Sequence, residues 1–415
     1  MTASPVPSVP PVPSVPPVSF PSTPRPRTET APDPVAPAGA ARPDRPGLTE
    51  LRLSAFAGHR GAVLPLGPLT FLAGRSGSGK STALRAVEAL ARLGGGAALR
   101  EVFPEPAACV PERARPDAQR RRGFRIGCTA DGPEGPVRLD VAVQAEPDLR
   151  VVGERLTGGG RILLETALRD PGRPVVQAAW HTAGSSPVTR GPLPDDLLGT
   201  ALLPLRVAGR TDGQRRVLAA AEQMVVALRS VFPCDPRPGT MRAPVPLRAG
   251  RLLRGCDNLA EVLLRTRTEC ARRHARLVEA VHAGCAGRVA DVSAEVLGDG
   301  TVRALLDRGD GTRTPLALLG DGELRYLALA LVLMTGPGVL EVDPVGEVPA
   351  ALQGLTVLAD GFDRALDARQ TGELVRLAAR VGERGHIRLV GAVSDVAAAA
   401  EVRGVQGAAV VDLDG

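Results

Sequence analysis

The sequence predicts an α/β fold: a largely parallel sheet with helices, interrupted by a long insert and preceded by a Pro-rich tail. Three observations carry this. An apolar strand pattern at residues 69–73 runs into a glycine-rich loop and then a helix pattern over 82–93. From about residue 316 onward, strand and helix patterns alternate, the order that builds parallel sheets. Between these blocks, short alternating segments at 124–129, 137–145 and 161–168 read as an antiparallel β sub-sheet, followed by a helical lobe.

Taken in order, residues 1–47 form a low-complexity Pro/Val/Ser/Ala tail, expected to be disordered and partly polyproline-II, since proline removes backbone donors. Leu51, Leu53 and Ala55 alternate with polar residues and start the first strand. The helix over 82–93 stops at Gly94, Gly95 and Gly96. Residues 97–119 are irregular, and 171–210 are punctuated by Gly and Pro and fit no single pattern. Val217, Ala220, Ala221, Met224 and Leu228 recur at helical spacing, predicting a helix over 213–232 with loop from 233 to 251. Residues 259–285 read as one long Arg-rich amphipathic helix, and 289–296 with 301–306 as a hairpin. Then come a helix over 321–334, a strand at 355–359, a helix over 367–381 and strands at 387–392 and 408–412. The expected units are 48–95 and 316–415, forming one head together, with 96–315 inserted. There are no internal repeats and no sustained heptads.

Composition excludes several classes. No apolar run reaches the roughly 18–20 residues of a membrane span, and no charged start precedes an apolar core as in a signal peptide, so a soluble cytoplasmic protein is expected. The six cysteines form no CxxC pair and stand at no metal spacing with the five histidines, so free thiols are expected. Cys256, Cys270 and Cys285 lie about four helical turns apart and are expected on one helix face. The net charge of +6 tempts one toward nucleic acid. Lys80 and Asn258, however, are the single Lys and Asn of the chain, which reads as the coding bias of a GC-rich, actinobacterial-like genome. The clusters around Arg120–Arg122 and along Arg265–Arg276 are therefore solvated faces in the simpler reading and DNA contacts in the sharper one.

The strongest motif is Gly74-Arg75-Ser76-Gly77-Ser78-Gly79-Lys80-Ser81-Thr82, which satisfies GxxxxGK[ST] between a strand and a helix. Glycines let backbone N–H groups turn inward around phosphates, and the helix N-terminus adds partial positive charge. Lys80 then reaches the β/γ-phosphates of ATP and Ser81 offers a hydroxyl to Mg²⁺. A lysine suits this place, because its ammonium is a compact charge on a flexible stem.

Two further segments carry a resemblance. Leu319-Gly320-Asp321-Gly322-Glu323, followed by LRYLALALVL, resembles the signature segment of ABC-type ATPases, in particular their RecF- and SMC-like branch. Leu355-Thr356-Val357-Leu358-Ala359-Asp360, continuing to Asp367, resembles a Walker B strand with its D-loop. Residues 48–69 and Asn258-Leu259-Ala260-Glu261-Val262-Leu263 are similar to RecF-like segments as well. The resemblance implies an ABC-type head with a mixed sheet. Lys80 and Asp360 would serve catalysis, with Ser81 and Asp360 on Mg²⁺. Gly74, Ser76, Gly77, Ser78, Gly79, Lys80, Ser81 and Thr82, with Gly320, Gly322 and Asp367, would bind ATP. It also implies an ATP-dependent homodimer in which the signature of one copy meets the nucleotide of the other. About 240 residues separate Lys80 from Gly322, more than in transporter subunits and fewer than SMC arms need.

Gly320 stands where that family has Ser, and two further departures bear on hydrolysis. Gly361 stands where the family has its catalytic Glu, and Ser394 where it has the switch His. A missing general base costs about 10²- to 10⁴-fold in rate. Asp363 or Glu347 are candidate substitutes, Gln144 is a candidate Q-loop residue, and Asp343 is an alternative to Asp360. The expected function is thus an ATP-binding ATPase, slow or normal, in DNA maintenance or defence. The alternative is a nucleotide-gated switch read by a protein partner.

Overall fold

The computed structural model describes residues 43–182, 188–248, 250–342, 349, 352–383, 385–394 and 396–414. The Pro-rich tail up to residue 42, Asp343, Glu347 and Asp395 lie outside the described residues.

The chain opens with β1 (Gly47–Phe56), β2 (His59–Pro65), β3 (Leu69–Ala73) and α1 (Lys80–Gly94), followed by the short α2 (Leu99–Val102). Six strands come next: β4 (Arg122–Asp131), β5 (Val137–Glu146), β6 (Arg150–Gly158), β7 (Arg161–Ala167), β8 (Val175–His181) and β9 (Val188–Pro194). Then follow α3 (Gly199–Arg206), α4 (Asp212–Arg229), β10 (Val231–Cys234), the short α5 (Pro238–Met241) and β11 (Val245–Pro246). The lobe contains α6 (Leu259–Glu269), α7 (Ala271–Gly284), β12 (Asp291–Val296), β13 (Thr301–Asp307) and β14 (Arg313–Pro315). The chain closes with α8 (Asp321–Met334), β15 (Leu355–Ala359), α9 (Ala368–Gly382), β16 (Ile387–Ala392), α10 (Val396–Arg403) and β17 (Ala409–Asp412).

This is a mixed α/β fold with three sheets among the described residues. An antiparallel sheet of eight strands runs β2-β1-β4-β5-β6-β7-β8-β9, and a parallel sheet of five runs β10-β15-β16-β3-β17. A small antiparallel sheet pairs β13 with β11, β12 and β14. The strands β3 and β15 are buried at every residue, as expected for a parallel sheet covered on both faces.

The two faces of the parallel sheet feed different cores. Leu72, Leu358 and Val390 pack with α1, α4 and the large antiparallel sheet. Their alternates Phe71, Val357 and Leu389 pack with α8 and α9 and the lobe. The layers are therefore antiparallel sheet, α1 with α4, parallel sheet, then α8 with α9. A Cβ on Gly94 would lie 2.7 Å from Cβ of Leu228, so glycine permits the close approach of α1 to α4.

Several sequence expectations need correcting. The helix expected over 259–285 is two helices, because the chain turns extended at Cys270, with φ −153° and ψ 92°. Cys256 lies before α6 at φ 56° and Cys285 after α7 is extended, so the three cysteines share no helix face. Residues 231–234, expected as the end of a helix and a loop, form the edge strand β10. The Gly/Pro-punctuated stretch contributes β8, β9 and α3, and β6 is a strand that the pattern did not reveal. No helix among the described residues is long and apolar enough to cross a membrane.

Candidate phosphate-binding site

The loop between β3 and α1 takes its shape from glycine. Gly74, Gly77 and Gly79 adopt φ of 141°, 86° and 97°, conformations that residues with a Cβ rarely hold. A Cβ on Gly79 would lie 2.3 Å from Nε2 of His59, whose ring nitrogen is 3.0 Å from the Gly79 carbonyl oxygen. His59 on β2 is buried and props the loop from behind, a contact that sequence reading missed. The first turn of α1 carries no acidic residue of its own to offset its positive end.

Lys80 Nζ donates to the carbonyls of Gly74 at 2.5 Å and Arg75 at 2.9 Å, so the ammonium lies over the loop. Ser81 Oγ donates to Asp360 Oδ1 at 3.0 Å across 279 residues of sequence. Parallel pairing of β15 with β16 and of β16 with β3 brings Asp360, at the end of β15, to the loop that ends β3. A cleft of about 510 Å³ is lined by Ser76, Gly77, Gly79, Lys80, Ser81, Thr82, Asp360, Gly361, Arg364 and Ser394, among others. Ser78 Oγ is buried without a hydrogen-bond partner.

The turn after Asp360 is fixed from three sides. Gly361 is left-handed at φ 56°, and the Arg364 guanidinium lies against it. Arg325, 3% exposed on α8, donates to the Gly361 carbonyl at 3.0 Å and the Pro236 carbonyl at 2.7 Å. Burial, helped by the nearby Arg364 charge, lowers the Arg325 pKa from its ordinary value. Asp363, 8% exposed, accepts from the Ser394 backbone N–H at 2.9 and 3.0 Å and from its hydroxyl at 2.7 Å. The described carboxylate closest in sequence to Asp360 is thus engaged with Ser394.

The other expected site residues lie away from this cleft. Gly320 caps α8, its N–H donating to Glu323 Oε2 at 3.2 Å. A Cβ on Gly322 would lie 2.3 Å from the Ala365 carbonyl oxygen, so glycine lets α8 pack on the turn before α9. Asp367 caps α9, accepting from the Gln370 N–H at 2.7 Å. Gln144 donates to the Asp148 carbonyl at 3.0 Å and lines a separate hollow with Arg121 and Arg122.

A nucleoside triphosphate with Mg²⁺ fits the residues present. The loop is shaped by three left-handed glycines and carries one ammonium, while a hydroxyl and a carboxylate stand together for a divalent cation. Among the described residues no group of three or more His, Cys, Asp or Glu could hold a metal ion. A cation here would take Ser81 and Asp360 from the protein and its remaining ligands from phosphate and water, the habit of Mg²⁺.

The chain is similar in structure to SMC head domains. One such head, bound to the C-terminal winged-helix domain of ScpA, superposes with a TM-score of 0.48 at 12% identity, covering 86% of this chain and 92% of that one. An SMC head with extended coiled coil, bound to a ScpA domain and derived from Pyrococcus furiosus, gives 0.43 at 13% identity with the same coverages. The SMC head of Thermotoga maritima gives 0.42 at 12% identity, again with 86% and 92% covered. No protein-family profile and no curated protein sequence matches the chain.

Proposed function

We propose that this chain is an ATP-binding head of the ABC type, RecF-like in motif order, which uses Mg²⁺–ATP to bring two copies together in the cytoplasm. The observation that carries the reading is the Ser81–Asp360 contact beside Lys80. It joins the two motifs that a phosphate loop and a Walker B strand require, from opposite ends of the sequence. Lys80 would hold the β- and γ-phosphates, Ser81 and Asp360 the cation, and the residues from Gly74 to Thr82 the phosphate oxygens. Bound Mg²⁺ would neutralise charge on the phosphates.

Gly320 and Gly322 do not line the Lys80 cleft. A phosphate contact from that helix end therefore belongs to a second copy, which supports the homodimer. Gly361 and the Asp363–Ser394 bond favour slow hydrolysis, because the residue directly after Asp360 has no carboxylate and Asp363 is engaged with Ser394. The second reading, a nucleotide-gated switch with negligible turnover, rests on that same observation. DNA contact through the Arg clusters is a further proposal, supported by charge alone.

The test is light scattering with and without Mg²⁺–ATP, together with phosphate release, using Lys80→Ala as control. Dimerisation with turnover lost in the mutant supports the ATPase. Dimerisation without turnover supports the switch. A monomer at saturating ATP contradicts the dimer.

A further inference from the structure

Arg364 has no counterpart in the roles assigned above. It lies four residues after Asp360, and its guanidinium covers Gly361: a Cβ there would meet Nη2 at 2.9 Å and Nε at 3.0 Å. The missing side chain at Gly361 is what gives the guanidinium its place. From there Arg364 lines the same cleft as Lys80, Ser81, Asp360 and Ser394.

The Arg364 donors are nearly unspent. Its nearest carboxylate partner, Asp235, stands 3.8 Å away, and Asp235 also faces the buried Arg325 at 3.6 Å. Among the described residues the guanidinium donates no hydrogen bond, and 60% of its side chain is exposed. Among the described residues Asp360 is the one carboxylate lining the cleft, facing Lys80, Arg364 and the α1 N-terminus, and these groups together favour an anion. A planar fork of donors at this position suits phosphate oxygens.

We propose that Arg364 contacts the terminal phosphate of a nucleoside triphosphate bound in its own chain's cleft, and so makes the cleft select triphosphate over diphosphate. A cation occupies the place of a water-activating carboxylate, which turns the site toward holding its nucleotide. This inference rests on the nucleotide reading of the cleft.

The experiment compares Mg²⁺–ATP and Mg²⁺–ADP affinities by calorimetry for the wild-type full chain, Arg364→Ala, Arg364→Lys and Lys80→Ala. Charge-assisted bonds to a phosphate predict that Arg364→Ala weakens ATP about 10- to 100-fold. ADP stays within about twofold, and Arg364→Lys falls between. A purely structural Arg364 would move both nucleotides together, and that result overturns the inference. Wild-type binding that is lost in Lys80→Ala but intact in Arg364→Ala overturns this inference alone. Wild-type protein that binds neither nucleotide overturns the nucleotide reading and this inference with it.

Discussion

Replacing Asp363 with Asn removes one charge and almost no volume from the turn behind the cleft. Asp363 is 8% exposed and holds two donors of Ser394, the backbone N–H at 2.9 and 3.0 Å and the hydroxyl at 2.7 Å. An amide still accepts from the backbone N–H, and the Ser394 hydroxyl can rotate to accept from the amide nitrogen. What is lost is the charge assistance. Bonds to charged groups contribute about 1.5–3 kcal/mol against about 0.5–1.5 for neutral ones, so two bonds predict a loss of about 2–3 kcal/mol. Asp363→Ala additionally orphans the Ser394 N–H, adding about 1–3 kcal/mol. The assay is urea unfolding followed by far-ultraviolet circular dichroism, comparing midpoints at equal slope. A midpoint for Asp363→Asn unchanged within about 0.5 kcal/mol, or an equal shift for the Ala variant, would show that the Asp363 charge does not hold Ser394.

Other perturbations probe neighbouring residues. Gly361→Glu places a Cβ at φ 56° against the Arg364 guanidinium. It should destabilise by about 1–2 kcal/mol, as a left-handed residue does, yet raise phosphate release by at least about 10²-fold if a general base is what the site lacks. Unchanged turnover with intact ATP binding would show that the missing carboxylate is not limiting. Gly322→Ala and Gly284→Ala meet Ala365 O at 2.3 Å and the Tyr326 ring at 2.0 Å. Each should cost about 1–3 kcal/mol by overpacking, measured by the same unfolding curves. Alkylation of the native protein at pH 8 should modify Cys270 first and Cys109 more slowly, since both are half-buried and burial raises the Cys109 thiol. A raised pKa means less thiolate at a given pH, so Cys109 labelling should climb as pH rises. Cys128 and Cys285, pushed up to about 12 by burial, should react only after unfolding, as mass spectrometry would show.

The phosphate loop and the strands around it were legible because their signals are local. Glycine spacing, a fully apolar strand and a helix start sit within about 25 residues of each other. The β15–α9–β16 run was legible for the same reason. The break between α6 and α7 was not, because the apolar spacing continues through Cys270 while the backbone turns extended there. The strands β8 and β9 hid behind Pro and Gly, which an antiparallel sheet tolerates near its edge. In the site, residue types gave Lys80, Ser81 and Asp360, but no sequence signal joins His59 to Gly79 or Asp363 to Ser394. Those pairs meet only once the sheets are assembled. Arg364 had a weak signal in its place four residues after Asp360, but its aim depends on the bare backbone of Gly361.

The central claim is that this cleft binds a nucleoside triphosphate through Lys80. Equilibrium dialysis of labelled ATP with Mg²⁺ against the wild-type chain and Lys80→Ala tests it directly. One ATP per chain is expected in the wild type, and binding weakened by at least about tenfold in the mutant, the loss of one charge-assisted phosphate contact. No binding in the wild type, or equal binding in the two proteins, would contradict it.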